Sequence, residues 1–310
     1  TALDIFHTLA VPNVTVGDRL ETYLVQTRAG PLQVIALPWI RRSAFLAREE
    51  TRGLTIHQIN QQLQERVSSL LDWHIKSLDT SFPAILTAHA SLNTAITSSE
   101  QSMLLGRDPV IMQSTLAHPN LDYVALGHIH KHQVLSYNPQ VAYSGSLERI
   151  DFGEEDDQKG FCIVDLAPTS PPGQRLTNFQ FQHVDARKFL TIEVKVDPNE
   201  DPTEKTLQAI ARMHVAQAIV RIKVTMPQEV ETLLREDEVR KALSEAQFVT
   251  PIVRDIQRER RTRLGATSVE GLSPQQALRL YLASANVPAE RSQVLIRYGE
   301  RLINTERPDN

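Results

Sequence analysis

The sequence predicts a mixed α/β architecture, and three observations carry the prediction. Short apolar runs that end at proline, glycine or histidine recur through the first half, as buried strands do. A long amphipathic stretch is set among them, and a β-α-β-α-β order follows from about residue 189. Gln33 to Ile40 reads as a buried strand, with Pro38 marking its end. From Thr55 to Leu78, Ile56, Ile59, Leu63, Val67, Leu70, Leu71, Trp73 and Ile75 fall mostly at helical spacing. Strands are expected near residues 84 to 89, 122 to 127, 133 to 136, 141 to 144 and 161 to 166. Ala167 to Gly173, rich in proline, then breaks the pattern as a loop.

A second unit starts near Phe189. Leu190 to Val196 alternates as a strand, and Asp201-Pro202-Thr203-Glu204 has the form of a helix start, with an acid at the N-cap and proline in the first turn. Gln217 to Thr225 is the next strand, Arg235 to Glu245 the next helix and Phe248 to Val253 a last strand. Ser273-Pro274-Gln275-Gln276 and Pro288 open two closing helices, the second with an apolar stripe of Val294, Leu295, Tyr298, Leu302 and Ile303. Residues 1–166 thus form one unit, 167–188 a linker with a last strand, 189–264 a small α+β module and 270–310 a helical end.

With 310 residues, 41% hydrophobic and 23% charged, the chain has the composition of an ordinary globular protein. Its net charge of −4 argues against indiscriminate coating of nucleic acid but leaves room for local basic patches. No apolar segment reaches bilayer-spanning length, and a single cysteine excludes an internal disulfide, so a cytoplasmic address is expected. Cys162, in Gly160-Phe161-Cys162-Ile163-Val164, is expected to be a buried, inert thiol.

The chemistry begins at Leu121 to His130, an apolar run that stops at Gly127 and presents His128 and His130. Imidazoles two residues apart at a strand's end can turn toward one cavity and hold a metal, although such a pair is also what a solvated loop yields. A second run, Pro83 to His89, ends in a histidine beside small residues. Downstream, Ser144-Gly145-Ser146-Leu147-Glu148-Arg149-Ile150-Asp151-Phe152-Gly153-Glu154-Glu155 leads to Lys159-Gly160-Phe161. In this order the three pieces resemble the SbcD nuclease family within the wider calcineurin-like metallophosphoesterases. The Ser-Leu-Glu-Arg-Ile-Asp-Phe-Gly-Glu-Glu run is what narrows the resemblance to SbcD.

That resemblance implies a partial calcineurin-like α/β/β/α sandwich in residues 1–166, a capping domain in 189–264 and C-terminal helices at 270–310 that clasp an SbcC-type ATPase. It implies two divalent ions, most of all manganese, with His89 and His128 on one and His130 on the other. The activity implied is hydrolysis of DNA phosphodiesters at DNA ends and hairpins, by a homodimer within a heterotetramer. Other motifs of the family, Asp-x-His, Gly-Asp-x-x-Asp and Gly-Asn-His, are not found between Thr1 and His89. The expectation is therefore a chain that lacks the first part of its catalytic domain, with the general-acid histidine upstream of Thr1, and that is inactive alone. Asp72-Trp73-His74 fits Asp-x-His only on paper, since its ends point apart on a helix. Gly17-Asp18-Arg19-Leu20-Glu21 is better explained as a turn.

Two binding surfaces complete the expectation. Arg221 and Lys223 share the polar face of their strand and suit phosphate oxygens, though an ordinary solvated face explains them equally. The basic run Arg254, Arg258, Arg260, Arg261 and Arg263 fits DNA or a linker with internal ion pairs. Val294, Leu295, Tyr298 and Leu302 fit helix-in-groove recognition of the ATPase partner or docking on the chain's own cap. Competing functions are a non-catalytic DNA- or partner-binding fragment, a general metallophosphoesterase, and a cupin-type oxygenase. The last expects a glutamate where Val134 and Leu135 stand.

Overall fold

The computed structural model describes residues 11–12, 14–47, 50–97, 109–257, 273–285 and 287–305. The fold is mixed α/β, and its first unit is built on a six-stranded sheet. The strands are β1 Glu21–Thr27, β2 Gly30–Leu37, β3 Ala84–His89, β6 Tyr123–Gly127, β7 Gln133–Tyr137 and β8 Gln140–Tyr143. Across the sheet they lie in the order β1-β2-β3-β6-β8-β7. Two short strands, β4 Ser91–Leu92 and β5 Val110–Ile111, pair beside it. β2, β3, β6 and β8 run parallel, while β1 and β7 close the edges antiparallel. The sequence pattern does not predict β1. Its residues are half exposed, and its apolar positions are diluted by Glu21, Thr22, Gln26 and Thr27, as suits an edge strand.

Helix α1, Ile56–Lys76, covers one face of this sheet and starts at a capping box formed by Thr55 and Gln58. Its buried stripe is Leu63, Val67, Leu71 and Ile75, spaced one turn apart, against Ile35, Leu37, Leu86, Val124, Leu126 and Val141. Ile56 and Trp73 do not belong to that stripe and are exposed. Gly17 lies outside any turn. A Cβ there would stand 2.5 Å from the Ala36 Cβ, so the glycine lets an extended segment lie close on the sheet.

A second sheet, β9 Gly160–Leu166 with β10 Leu176–His183, packs near the β6 and β8 side through Tyr123 against Phe179 and His132 stacked at 3.8 Å on Phe181. Cys162 is half-buried rather than buried, because this small sheet leaves Phe161 and Ile163 exposed on its other face. Burial still raises the thiol above its ordinary range, so it stays protonated. The loop before β10 is pinned by Arg175, which donates to the carbonyls of Thr80, Phe82 and Ser170 and pairs with buried Asp122 at 3.3 Å.

The next unit is a parallel sheet of β11 Phe189–Lys195, β12 Ile219–Pro227, β13 Phe248–Val249 and β14 Val253–Gln257, with β12 pairing all three others. α2, Pro202–Ala211, starts where Asp201 accepts from the Thr203 and Glu204 amides, and α3 covers Glu236–Ala242. The single last strand expected from Phe248 to Val253 is divided at Thr250 to Ile252, where Pro251 offers no N–H to the ladder. Ile192, Val194, Val220, Ile222, Val224, Ile210 and Val239 form its core.

α4, Pro274–Ser284, has a capping box of Ser273 and Gln276, and α5 runs over Ala289–Thr305. The two pack on each other where Gly299 admits Leu278 and Arg279 reaches Glu300 at 3.1 Å. The side chain of Ile303 and the arginines at 258, 260, 261 and 263 lie outside the described residues. Among the described residues, no helix is long and apolar enough to cross a membrane.

Candidate functional site

The site lies at the C-terminal ends of adjacent parallel strands, where open α/β sheets bind ligands. His89 ends β3, and its Cα is in register with Gly127 at the end of β6. His128 follows at once, so the two rings meet with centroids 5.1 Å apart and planes inclined by 60°. The His128 backbone has φ 93°, in the left-handed region that a bulky residue avoids. Such a conformation costs roughly 1–3 kcal/mol and persists only where the surroundings impose it, a pattern common at functional sites.

Trp39, just beyond the end of β2, completes a three-ring cluster, 4.7 Å from His128 and 5.6 Å from His89. Sequence reasoning missed it. The available signal was that Trp39 follows an apolar strand as the two histidines do. Burial, then the neighbouring His128 and His130 rings, lower the pKa of His89. His89 is thus held neutral, the form in which imidazole binds metal. An open groove of about 430 Å³ runs beside the cluster over Ala36, Thr87 and Ala125, consecutive partners across the sheet whose small side chains leave the space.

His130 is held separately. Its Nδ1 lies 2.8 Å from Glu154 Oε1, and Glu154 Oε2 accepts from Lys159 Nζ at 2.7 Å, both side chains of that ion pair being fully buried. Lys159 also donates to the His130 carbonyl and to Ser146 Oγ. Gly145, to which the sequence assigned no chemistry, is required here. It has φ 79°, and a Cβ on it would stand 2.7 Å from the His130 carbonyl oxygen and 2.9 Å from the His132 amide. His132 Nδ1 sits 2.8 Å from the Tyr143 carbonyl, and the Tyr143 hydroxyl donates to the Ala90 carbonyl, fixing the chain just after His89.

Among the described residues, no group of three or more His, Cys, Asp or Glu side chains is placed to hold a metal ion. The donors at hand are imidazole nitrogens, and the nearest buried carboxylate, Glu154, is bonded to Lys159 and His130. Two hard dications require oxygen ligands as well. These residues therefore do not by themselves fit a complete two-ion centre. Asp72 pairs with Lys76 at 2.7 Å and His74 Nδ1 lies 2.9 Å from Thr22 Oγ1, so both ends of the Asp-x-His look-alike already have partners.

On β12, Arg221 lies 4.2 Å over the Phe152 ring and donates to Thr191 Oγ1, while Lys223 pairs with Glu193 at 3.1 Å. Arg254 pairs with Glu236 at 2.6 Å. On α5, Val294, Leu295, Tyr298 and Leu302 are exposed, the last two by 63% and 67%.

No family model matches the chain. It is similar to the SbcD subunit of the SbcCD nuclease of Rhodobacter capsulatus, 29% identical over 167 residues, which is 50% of this chain and 40% of that protein. It is also similar to the SbcD subunit of the SbcCD nuclease of Staphylococcus epidermidis, 31% identical over 105 residues, 33% of this chain and 27% of that protein. The matched stretches cover less than half the length of either relative.

Proposed function

Because this chain is SbcD-like, we propose that it forms part of the nuclease subunit of an SbcCD-type complex, acting on DNA phosphodiesters at ends and hairpins in repair and recombination. The observation that carries the reading is the meeting of His89 and His128 at the ends of β3 and β6. The cofactor of this reading is a pair of divalent ions, manganese foremost, with His89 and His128 contributing to one and His130 to the other. Such ions activate water and stabilise charge on phosphate oxygens. This chain's own residues keep His89 neutral, shield the two facing rings with Trp39 and hold His130 through Glu154.

The same reading makes β12 the DNA-facing strand of the cap. On it both cations already have partners, Arg221 over Phe152 and Lys223 with Glu193, which a phosphate would have to displace. The α5 stripe of Val294, Leu295, Tyr298 and Leu302 is the surface for an SbcC-type ATPase, within a heterotetramer built around two copies of this subunit in the cytoplasm. A second reading, a non-catalytic DNA- and partner-binding fragment, is favoured by the missing oxygen donors among the described residues.

Manganese titration followed by electron paramagnetic resonance separates the two readings. Binding that weakens by about tenfold or more in His89→Ala and His128→Ala supports the metal reading. The chain by itself is expected to give no manganese-dependent cleavage of linear duplex DNA. Manganese affinity unchanged by both substitutions would leave the binding-fragment reading standing.

A further inference from the structure

Between residues 148 and 157 the chain carries Glu148, Asp151, Glu154, Glu155, Asp156 and Asp157, and Glu154 is the one with no exposed surface. One of its oxygens lies 2.8 Å from His130 Nδ1 and the other 2.7 Å from the equally buried Lys159 ammonium. A carboxylate facing an ammonium offers only lone pairs, so the hydrogen between Glu154 and His130 belongs to Nδ1. In a neutral ring the lone pair is then on Nε2, at the opposite edge. Lys159 also donates to the His130 carbonyl at 3.3 Å, so one ion pair holds both the ring and the backbone of this histidine.

We infer that Glu154 is a positioning residue for His130: it sets the tautomer and direction of the ring, so that the lone pair lies on Nε2. This rests on the proposed reading of His130 as a metal-binding side chain, and carboxylates placed behind such histidines do this work generally. The same short turn also holds the cap. Glu155 accepts from the Thr191 amide and hydroxyl, each at 2.7 Å, and Phe152 lies under Arg221.

Long-range ¹H–¹⁵N spectra of histidine-labelled chain, with His130 assigned by His130→Gln, read the tautomer directly. The wild-type ring is expected as Nδ1–H. In Glu154→Gln, Lys159 claims the amide oxygen and the amide NH₂ faces the ring, so His130 should switch to Nε2–H. The Ile150 amide also donates to the oxygen that faces Lys159, which fixes the same amide orientation, whereas Glu154→Asp keeps a carboxylate and should retain Nδ1–H. A residue that merely supported the fold would not separate Glu154→Gln from Glu154→Asp in this way, and circular dichroism checks that each variant is folded. An Nε2–H ring in the wild-type chain, or no switch in a folded Glu154→Gln, overturns the proposal, the first without needing any variant. Manganese added to the wild-type chain tests the metal reading apart from this one. Sharp His89 and His128 ring signals alongside an Nδ1–H His130 would sink that reading and leave Glu154 in its positioning role.

Discussion

At Gly145 two constraints coincide, since the residue needs both a positive φ and the absence of a side chain. With φ 79° and a Cβ that would come within 2.7 Å of the His130 carbonyl oxygen, Gly145→Ala forces either the turn or the histidine loop to move. The expected cost is roughly 1–3 kcal/mol, read as a lower urea midpoint with unchanged slope. A loss below about 0.5 kcal/mol, the range of ordinary surface changes, would show that the loop yields freely. Residues 144 to 155 could be read as a motif from the sequence, but their division of labour could not. Glu154 stands among several similar acids; Asp157 is also buried beside Lys159, and it is the 2.8 Å contact with His130 that distinguishes Glu154. Trp39 was equally hidden, because nothing local states that β2 lies beside β3.

Among the elements, α1 shows how far periodicity reaches. Leu63, Val67, Leu71 and Ile75 were legible as helical and apolar, but Ile56 and Trp73 passed the same test and are exposed. A helix buries only the stripe that meets its sheet, and Trp73 lies two residues from Leu71, well round the cylinder. Leu71→Ala should therefore cost about 2–5 kcal/mol in chemical denaturation, by lost burial and an unfilled cavity. Trp73→Ser should stay within about 0.5 kcal/mol. Equal losses would mean that the helix is turned differently on the sheet. The divided strand of β13 and β14 is a comparable case, where alternation suggested one strand and the missing N–H of Pro251 imposed a break.

Taken as a whole, and among the described residues, the molecule joins its histidine site to the β11–β14 sheet through the loop of residues 148 to 157. Arg149 donates to the carbonyls of Glu154, Glu155, Asp157, Ala186 and Arg187, while Glu155 and Phe152 engage Thr191 and Arg221 of the β11–β14 sheet. These contacts make the first unit and the β11–β14 unit unfold together if they carry the coupling. Glu155→Ala combined with Arg221→Ala is expected to resolve one thermal transition into two in scanning calorimetry. A single transition, lowered but undivided, would place the coupling elsewhere.

By itself the sequence determined the mixed α/β class, the alternation of strands and helices, the helix starts at Asp201 to Glu204 and Ser273 to Gln276, and the histidines worth watching. Those features are local, set by side-chain period, capping chemistry and the residues that break regular structure. Only the tertiary structure decided that His89 meets His128, that Trp39 flanks both, that His130 is held by Glu154, and that Arg221 turns toward Phe152. Strand order, burial and close backbone approach bring together residues far apart in the chain, and no local pattern encodes which of several like residues will be the one enclosed.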